Sequence, residues 1–136
     1  MRRFLRALIC VIIILSCLST TAMAAEAGVT PRYNNTINAN SKFQISNDTA
    51  IIELFYYGYS GITTNVKVTT LLQKRTLWLF WSDVTEWVDT STASSDVFTH
   101  TYSVSSGKTY RVQITYEISG SGGATDVITE ELEASS

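Results

Sequence analysis

The chain has 136 residues, with 10 Lys and Arg against 12 Asp and Glu. This acidic balance argues against nucleic acid as a partner, because phosphate binding requires a concentrated basic face. Both cysteines, Cys10 and Cys17, lie within the first 24 residues, so the remaining chain has no thiol for a disulfide, a nucleophile or a metal. What remains has the usual size of one domain with one core.

The first 24 residues have the pattern of a secretory signal peptide. Three arginines precede an apolar run over residues 7–18, and Ala22 to Ala24 supply a small-residue cleavage site. The run is shorter than the roughly 20 apolar residues that span a bilayer. We therefore expect a secreted bacterial protein with no stable membrane span. An alternative is a lipid anchor at Cys17, because residues 14–17 loosely match a lipobox.

The next part of the chain predicts two strands. Residues 25–32 are predicted to form a mobile N-terminal arm. Residues 33–45 carry a weak apolar row that is typical of an edge strand, and Asn47-Asp48 favours a turn after it. Residues 49–59 are apolar or aromatic on both faces except at Glu53, which indicates a strand in the centre of a sheet. The apolar row of the first strand consists of Ile37, Ala39, Ser41, Phe43 and Ile45.

The middle of the chain predicts a hairpin. Residues 65–74 alternate cleanly, with Val66, Val68, Thr70 and Leu72 on one face. Aromatic residues follow, and we predict a loop that leads into a strand over residues 81–88. Helix is the alternative for residues 77–88, although the aromatic and β-branched content disfavours it. The polar segment 89–96 is predicted to be a connector.

The last third predicts three more strands. Residues 97–104 form the first, with Phe98, Tyr102 and Val104 on one side, and residues 104–118 contain the clearest alternation in the chain. A glycine-rich connection and a strand over residues 125–132 complete the domain. Seven short strands without a long helix indicate an all-β fold, an immunoglobulin-like antiparallel β-sandwich over residues 33–136. The inward row of the clearest strand is Tyr110, Val112, Ile114, Tyr116 and Ile118.

Two resemblances agree with this architecture. Val104 and Tyr110 stand where fibronectin type III and related immunoglobulin-like sandwiches have the tyrosine corner, which implies that the Tyr110 hydroxyl returns to upstream backbone. The domain also resembles an uncharacterised family of short secreted Firmicutes proteins, a domain of unknown function, which implies secretion and β structure but no catalytic residue. The matching motifs are Arg32-Tyr33, Leu72-Gln73-Lys74, Trp81 with Val84 and Trp87, and Tyr102 followed by Thr109-Tyr110-Arg111-Val112.

The sequence contains no recognisable catalytic or metal-binding pattern. His100 is the only histidine and has no candidate acidic partner nearby, so it is predicted to be a surface strand residue. Asp83, Glu86 and Asp89 lack the spacing of a calcium loop. We therefore predict a protein that is not an enzyme, with no metal and no cofactor.

What remains as a candidate site is aromatic. The chain has more aromatic side chains than the core of a small sandwich can bury. A group of exposed rings is suited to stack on sugar rings or to bind a protein surface. The alternative is that most of them fill or cap the core. The sequence predicts a binding or interaction module with a cell-surface glycan or protein as ligand, and the alternative function is a toxin or bacteriocin-like protein that acts on a competitor's envelope. The candidate residues are Tyr57, Tyr59, Trp78, Phe80, Trp81 and Trp87.

Overall fold

The computed structural model describes residues 32–136. The predicted signal peptide, Cys17 and residues 25–31 of the predicted arm lie outside the described residues. Residues 32–136 contain their own hydrophobic core and consist of seven strands joined by short turns. The strands are β1 Thr36–Ser46, β2 Thr49–Gly58, β3 Thr63–Thr76, β4 Phe80–Ser91, β5 Ser95–Ser103, β6 Thr109–Gly120 and β7 Gly123–Ser135.

The strands form two antiparallel sheets that face each other. One sheet has the order β1-β2-β5 and the other has the order β4-β3-β6-β7. The two sheets share one layer of buried apolar side chains, as the inner faces of a sandwich do. The immunoglobulin-like sandwich of seven strands is therefore confirmed. The predicted edge position of β1 and central position of β2 are confirmed as well.

Strand β6 provides the largest part of this core. Its alternating residues are all buried to 2% exposure or less, and β6 is hydrogen-bonded to β3 on one side and β7 on the other. The predicted inward row of β3 is also fully buried. A strand that has two neighbours and one covered face buries every second side chain, which is why its sequence alternates so cleanly.

The tyrosine corner is present between β5 and β6. Val104 and Tyr110 are both buried. The backbone N–H of Ser105 donates a hydrogen bond of 2.9 Å to the Tyr110 hydroxyl. This bond fixes the crossing from one sheet to the other, as the resemblance to fibronectin type III domains implied.

The predicted apolar row of β1 is wrong at its first residue. Ile37 is 59% exposed, whereas Ala39 is buried. The register of β1 against β2 shifts between Thr36 and Asn38, which marks a bulge. One extra residue reverses the face on which the preceding side chains lie, so Thr36 is buried in place of Ile37.

The polar connector predicted at residues 89–96 is also wrong. β4 continues to Ser91 and β5 starts at Ser95, so only three residues join them. Both are edge strands, where polar side chains are common because one edge faces water. The helix alternative for residues 77–88 is wrong too, because Phe80–Ser91 is a strand paired with β3.

A buried polar cluster holds the start of β1 against the β6–β7 hairpin. Asp126 is 6% exposed and accepts the backbone N–H groups of Asn34 at 2.9 Å and Asn35 at 2.7 Å. The Asn35 side chain donates to the Ala124 carbonyl and accepts from the Gly122 N–H. These bonds satisfy backbone groups where two loops meet, so the cluster closes this end of the sandwich.

A buried tyrosine in β6 makes stability depend on alkaline pH. Burial raises the pKa of Tyr116 to about 12, although its hydrogen bond with Ser41 lowers it. An unfolded tyrosine ionises near pH ~10. Between those values the unfolded chain binds fewer protons than the folded chain, so the free energy of unfolding falls as pH rises.

We expect Tyr116→Phe to remove the fall in the free energy of unfolding that the ionisation of Tyr116 causes at alkaline pH. At pH 8 the variant should be less stable than the wild type by about 1 kcal/mol, because the hydroxyl also donates to the Asn40 carbonyl at 2.8 Å. Urea unfolding at pH 8 and pH 11 should show this gap narrowing at the higher pH. Tyr57, whose ring is exposed, provides the control. For Tyr57→Phe, the difference in free energy of unfolding from the wild type should be the same at both pH values. A gap as wide at pH 11 as at pH 8 would contradict the assignment.

Candidate functional site

The largest exposed apolar group lies at the turn between β3 and β4. Four consecutive residues there face water, and we call them the apolar tip: Leu77, Trp78, Leu79 and Phe80. Their exposed fractions are 82%, 91%, 81% and 63%. Consecutive large apolar side chains are seldom all exposed to this degree, because each one forgoes the stabilisation of about 1.5–3 kcal/mol that full burial gives. Contiguous exposed apolar surface of this kind usually marks an interaction site.

The backbone of the apolar tip is held in an unfavourable conformation. Leu77 has φ 47° and Trp78 has φ 68°, in the left-handed region that bulky residues avoid. The β1–β2 hairpin also has two residues with positive φ, but they are Asn47 and Asp48, which tolerate it. The same chain thus uses suitable turn residues in one hairpin and bulky apolar residues in the other. Local strain of this kind is typical of functional positions.

Trp81, immediately after the apolar tip, is covered by two guanidinium groups. Arg75 lies 4.8 Å and Arg111 lies 4.4 Å from the centre of its ring. Arg111 also donates from Nε to the Gln73 side chain at 2.7 Å, and Gln73 donates to Asp83 at 2.6 Å. This network on the outer face of the four-stranded sheet orders the base of the β3–β4 hairpin.

Four basic residues lie in the strand ends and the loop next to the apolar tip. An open, shallow groove of about 460 Å³ is lined by Arg75, Leu77, Trp78, Gly107, Lys108 and Thr109. Lys74 precedes Arg75 on β3 and is opposite Tyr110, whereas Arg111 is opposite Gln73, so Lys74 and Arg111 lie on opposite faces of the sheet. We call these four residues the basic collar: Lys74, Arg75, Lys108 and Arg111. The described part of the chain has seven Lys and Arg, so four of these seven residues lie at this end of the four-stranded sheet.

Trp87 lies between the sheets instead of on an exposed platform. It packs against the core, stacks on the His100 ring with centroids 4.8 Å apart and meets the edge of Tyr102. The prediction that His100 is a surface residue without an acidic partner is wrong. Its Nε2 lies 2.7 Å from the Asp89 carboxylate, and both side chains are mostly buried. Because these residues join edge strands of opposite sheets, the contact closes the open side of the sandwich.

Tyr57 and Tyr59 lie at the opposite end of the domain from the apolar tip. They are 52% and 40% exposed and stand where β2 ends, beside the start of β3. The apolar tip follows the end of β3, which has 14 residues and is therefore about 45 Å long. The six predicted residues thus occupy three places: Trp78, Phe80 and the covered Trp81 lie at one end, Tyr57 and Tyr59 lie at the other, and Trp87 lies between the sheets.

Residues 32–136 show no group of three or more His, Asp or Glu side chains arranged to hold a metal ion. In the same residues, no helix has the length and apolar character needed to cross a membrane. The His100 ring stacks on Trp87 and its Nε2 lies 2.7 Å from Asp89, so these contacts link β4 to β5.

Comparison with known proteins gives two similar structures. No family model and no curated protein matches the chain, so the resemblance to secreted Firmicutes proteins rests on its sequence motifs. The chain is similar to OgpA from Akkermansia muciniphila at 10% identity and TM-score 0.44, over 74% of this chain and 29% of that one. It is also similar to the CARDB domain of the PF1109 protein from Pyrococcus furiosus, solved with di-metal ions, at 14% identity and TM-score 0.45, over 77% and 98%. At these levels neither structure assigns a ligand to this chain.

Proposed function

We propose that the protein is a secreted binding module without catalytic activity, and that it contacts its partner through the apolar tip. The observation that carries this proposal is the combination of exposure and strain at Leu77 and Trp78. Both side chains are more than four-fifths exposed, and both stand at positive φ. Neither feature benefits the isolated fold, whereas a partner that covers these side chains would gain their full burial.

The geometry around the tip supports a preformed contact. The hydroxyl of Thr76 donates to the Phe80 carbonyl at 3.3 Å and lies 3.3 Å from the Ser82 hydroxyl. The Arg75–Trp81–Arg111 stack lies directly below. A surface that is ordered before binding loses less conformational entropy when the complex forms.

The test is sedimentation of the purified chain, started at residue 25, with washed Gram-positive cells. We expect the double variant Trp78→Ala/Leu79→Ala to lower the bound fraction at least tenfold. The matched control is Tyr57→Ala/Tyr59→Ala, which removes two exposed rings at the opposite end and should bind as the wild type does. Binding that depends on the tyrosines, or that neither variant changes, would contradict the proposal.

A further inference from the structure

The charges beside the apolar tip indicate the chemistry of its partner. Two members of the basic collar are already paired: Arg75 lies 3.2 Å from Glu133, and Arg111 lies 3.3 Å from Glu131. Among the ion pairs of residues 32–136, none involves Lys74 or Lys108. Near the tip, Lys74 and Lys108 are therefore the positive charges that no ion pair of the described residues neutralises, although the whole chain has a formal charge of −2. These two charges are complementary to an anionic surface.

The side chains of the tip favour an apolar partner over a sugar. A sugar ring presents hydroxyl groups that require polar partners, whereas Trp78 is flanked by Leu77 and Leu79. The hydroxyls of Thr76 and Ser82 already contact each other, and the hydroxyl of Thr109, which lines the groove, contacts that of Ser135. Trp and Phe with Leu on one side and Lys and Arg around them is the composition of segments that bind the interface of a membrane.

We propose that the apolar tip inserts into the surface of a bilayer that contains anionic phospholipids. This inference rests on the proposed function and names its partner. Trp78, Leu79 and Phe80 enter the boundary between headgroups and acyl chains, while Lys74 and Lys108 lie against the phosphates. The apolar side chains supply the insertion, and each lysine adds attraction that depends on anionic lipid. The contact is peripheral, because it involves one hairpin turn.

Vesicles test this directly. The chain from residue 25 is sedimented with phosphatidylcholine vesicles and with vesicles that contain one quarter phosphatidylglycerol. We expect binding to the anionic vesicles only, a loss of at least tenfold in Trp78→Ala/Leu79→Ala, and a loss of ~fivefold or more in Lys108→Glu. The control Lys67→Glu makes the same charge change on β3, near the opposite end, and should have a smaller effect.

Fluorescence locates the inserted residue. Lipids brominated on their acyl chains should quench the tryptophan fluorescence of the protein, and Trp78→Phe should remove most of this quenching. The variant should keep its vesicle affinity within about threefold of the wild type, because Phe is also suited to the interface. Equal binding to both vesicle types, or binding that survives loss of the tip, overturns the proposal. Association of the protein with itself through the tip, seen by analytical ultracentrifugation, overturns it as well. If the protein does not bind vesicles but its binding to cells still requires the tip, the proposed lipid partner is wrong and the proposed function stands.

Discussion

Replacing Leu77 and Trp78 by Asn and Gly should make the domain more stable and weaken its binding at least tenfold. The two residues have φ values of 47° and 68°. A left-handed conformation costs an ordinary residue about 1–2 kcal/mol, and Asn and Gly adopt it far more easily. We expect the free energy of unfolding to rise by about 1–2 kcal/mol in urea titrations. Binding to cells should fall at least tenfold, because Trp78 and Leu77 are the most exposed side chains of the tip.

The β1–β2 turn offers the matched control. Asn47 and Asp48 have φ values of 49° and 56°, so Asn47→Leu should lower the free energy of unfolding by about 1 kcal/mol. Because that turn belongs to a different hairpin, binding should not change in this variant. If the Asn-Gly variant were less stable than the wild type, the strain at the apolar tip would be disproved. If it bound normally, the tip would not be the contact surface.

Asp126→Ala should cause the largest loss of stability of any substitution discussed. The carboxylate is 6% exposed and accepts the backbone N–H groups of Asn34 and Asn35. Its removal eliminates two charge-assisted hydrogen bonds and leaves the buried Asn35 N–H without an acceptor. We expect the free energy of unfolding to fall by about 3–5 kcal/mol. This is a large fraction of the total free energy of unfolding of a domain, which is usually about 5–15 kcal/mol. Equilibrium unfolding in urea measures it.

Two further variants separate the hydrogen bonds from simple packing. Asp126→Asn keeps one oxygen that can accept a bond, so it should recover about half of the loss. Val127→Ala changes the adjacent residue, which is 58% exposed, and should cost less than about 0.5 kcal/mol. A loss in Asp126→Ala no greater than in Val127→Ala would show that the cluster does not hold the two loops together.

The strands with two neighbours could be predicted because their environment is regular. Residues 109–119 of β6 and residues 66–72 of β3 alternate between buried and more exposed positions, and the sequence alternates with them. The turn at Asn47-Asp48 and the corner at Tyr110 could also be predicted, because each depends on the chemistry of residues close in sequence. In such segments local preference and tertiary structure agree, and the pattern is sufficient.

The local structure of the edge strands could not be predicted in the same way. A bulge at the start of β1 reverses the face of Ile37, and no pattern in that segment announces one extra residue. Segment 89–96 is polar because β4 and β5 are edge strands, which depends on the order of the strands in space. His100 and Asp89 are 11 residues apart, and only the packing of two sheets brings their side chains together.

The candidate site was predicted in part. The aromatic content indicated exposed rings, but composition does not distinguish Trp78, which is 91% exposed, from Trp87, which packs on the core. The useful signal was local: Leu77 and Trp78 fill a tight turn in which Asn or Gly is preferred. The Asn35–Asp126 cluster had no such signal, because its partners are 91 residues apart.

Photochemical crosslinking tests the central claim most directly, because it works with a partner of any chemical class. A photoreactive phenylalanine analogue is placed at position 78, and in a second protein at position 57, whose side chain is also exposed. Each protein is irradiated with washed cells. We predict that cell-surface material becomes covalently attached from position 78 and not from position 57. Attachment from position 57 alone, or equally from both, would contradict a binding module that contacts its partner through the apolar tip.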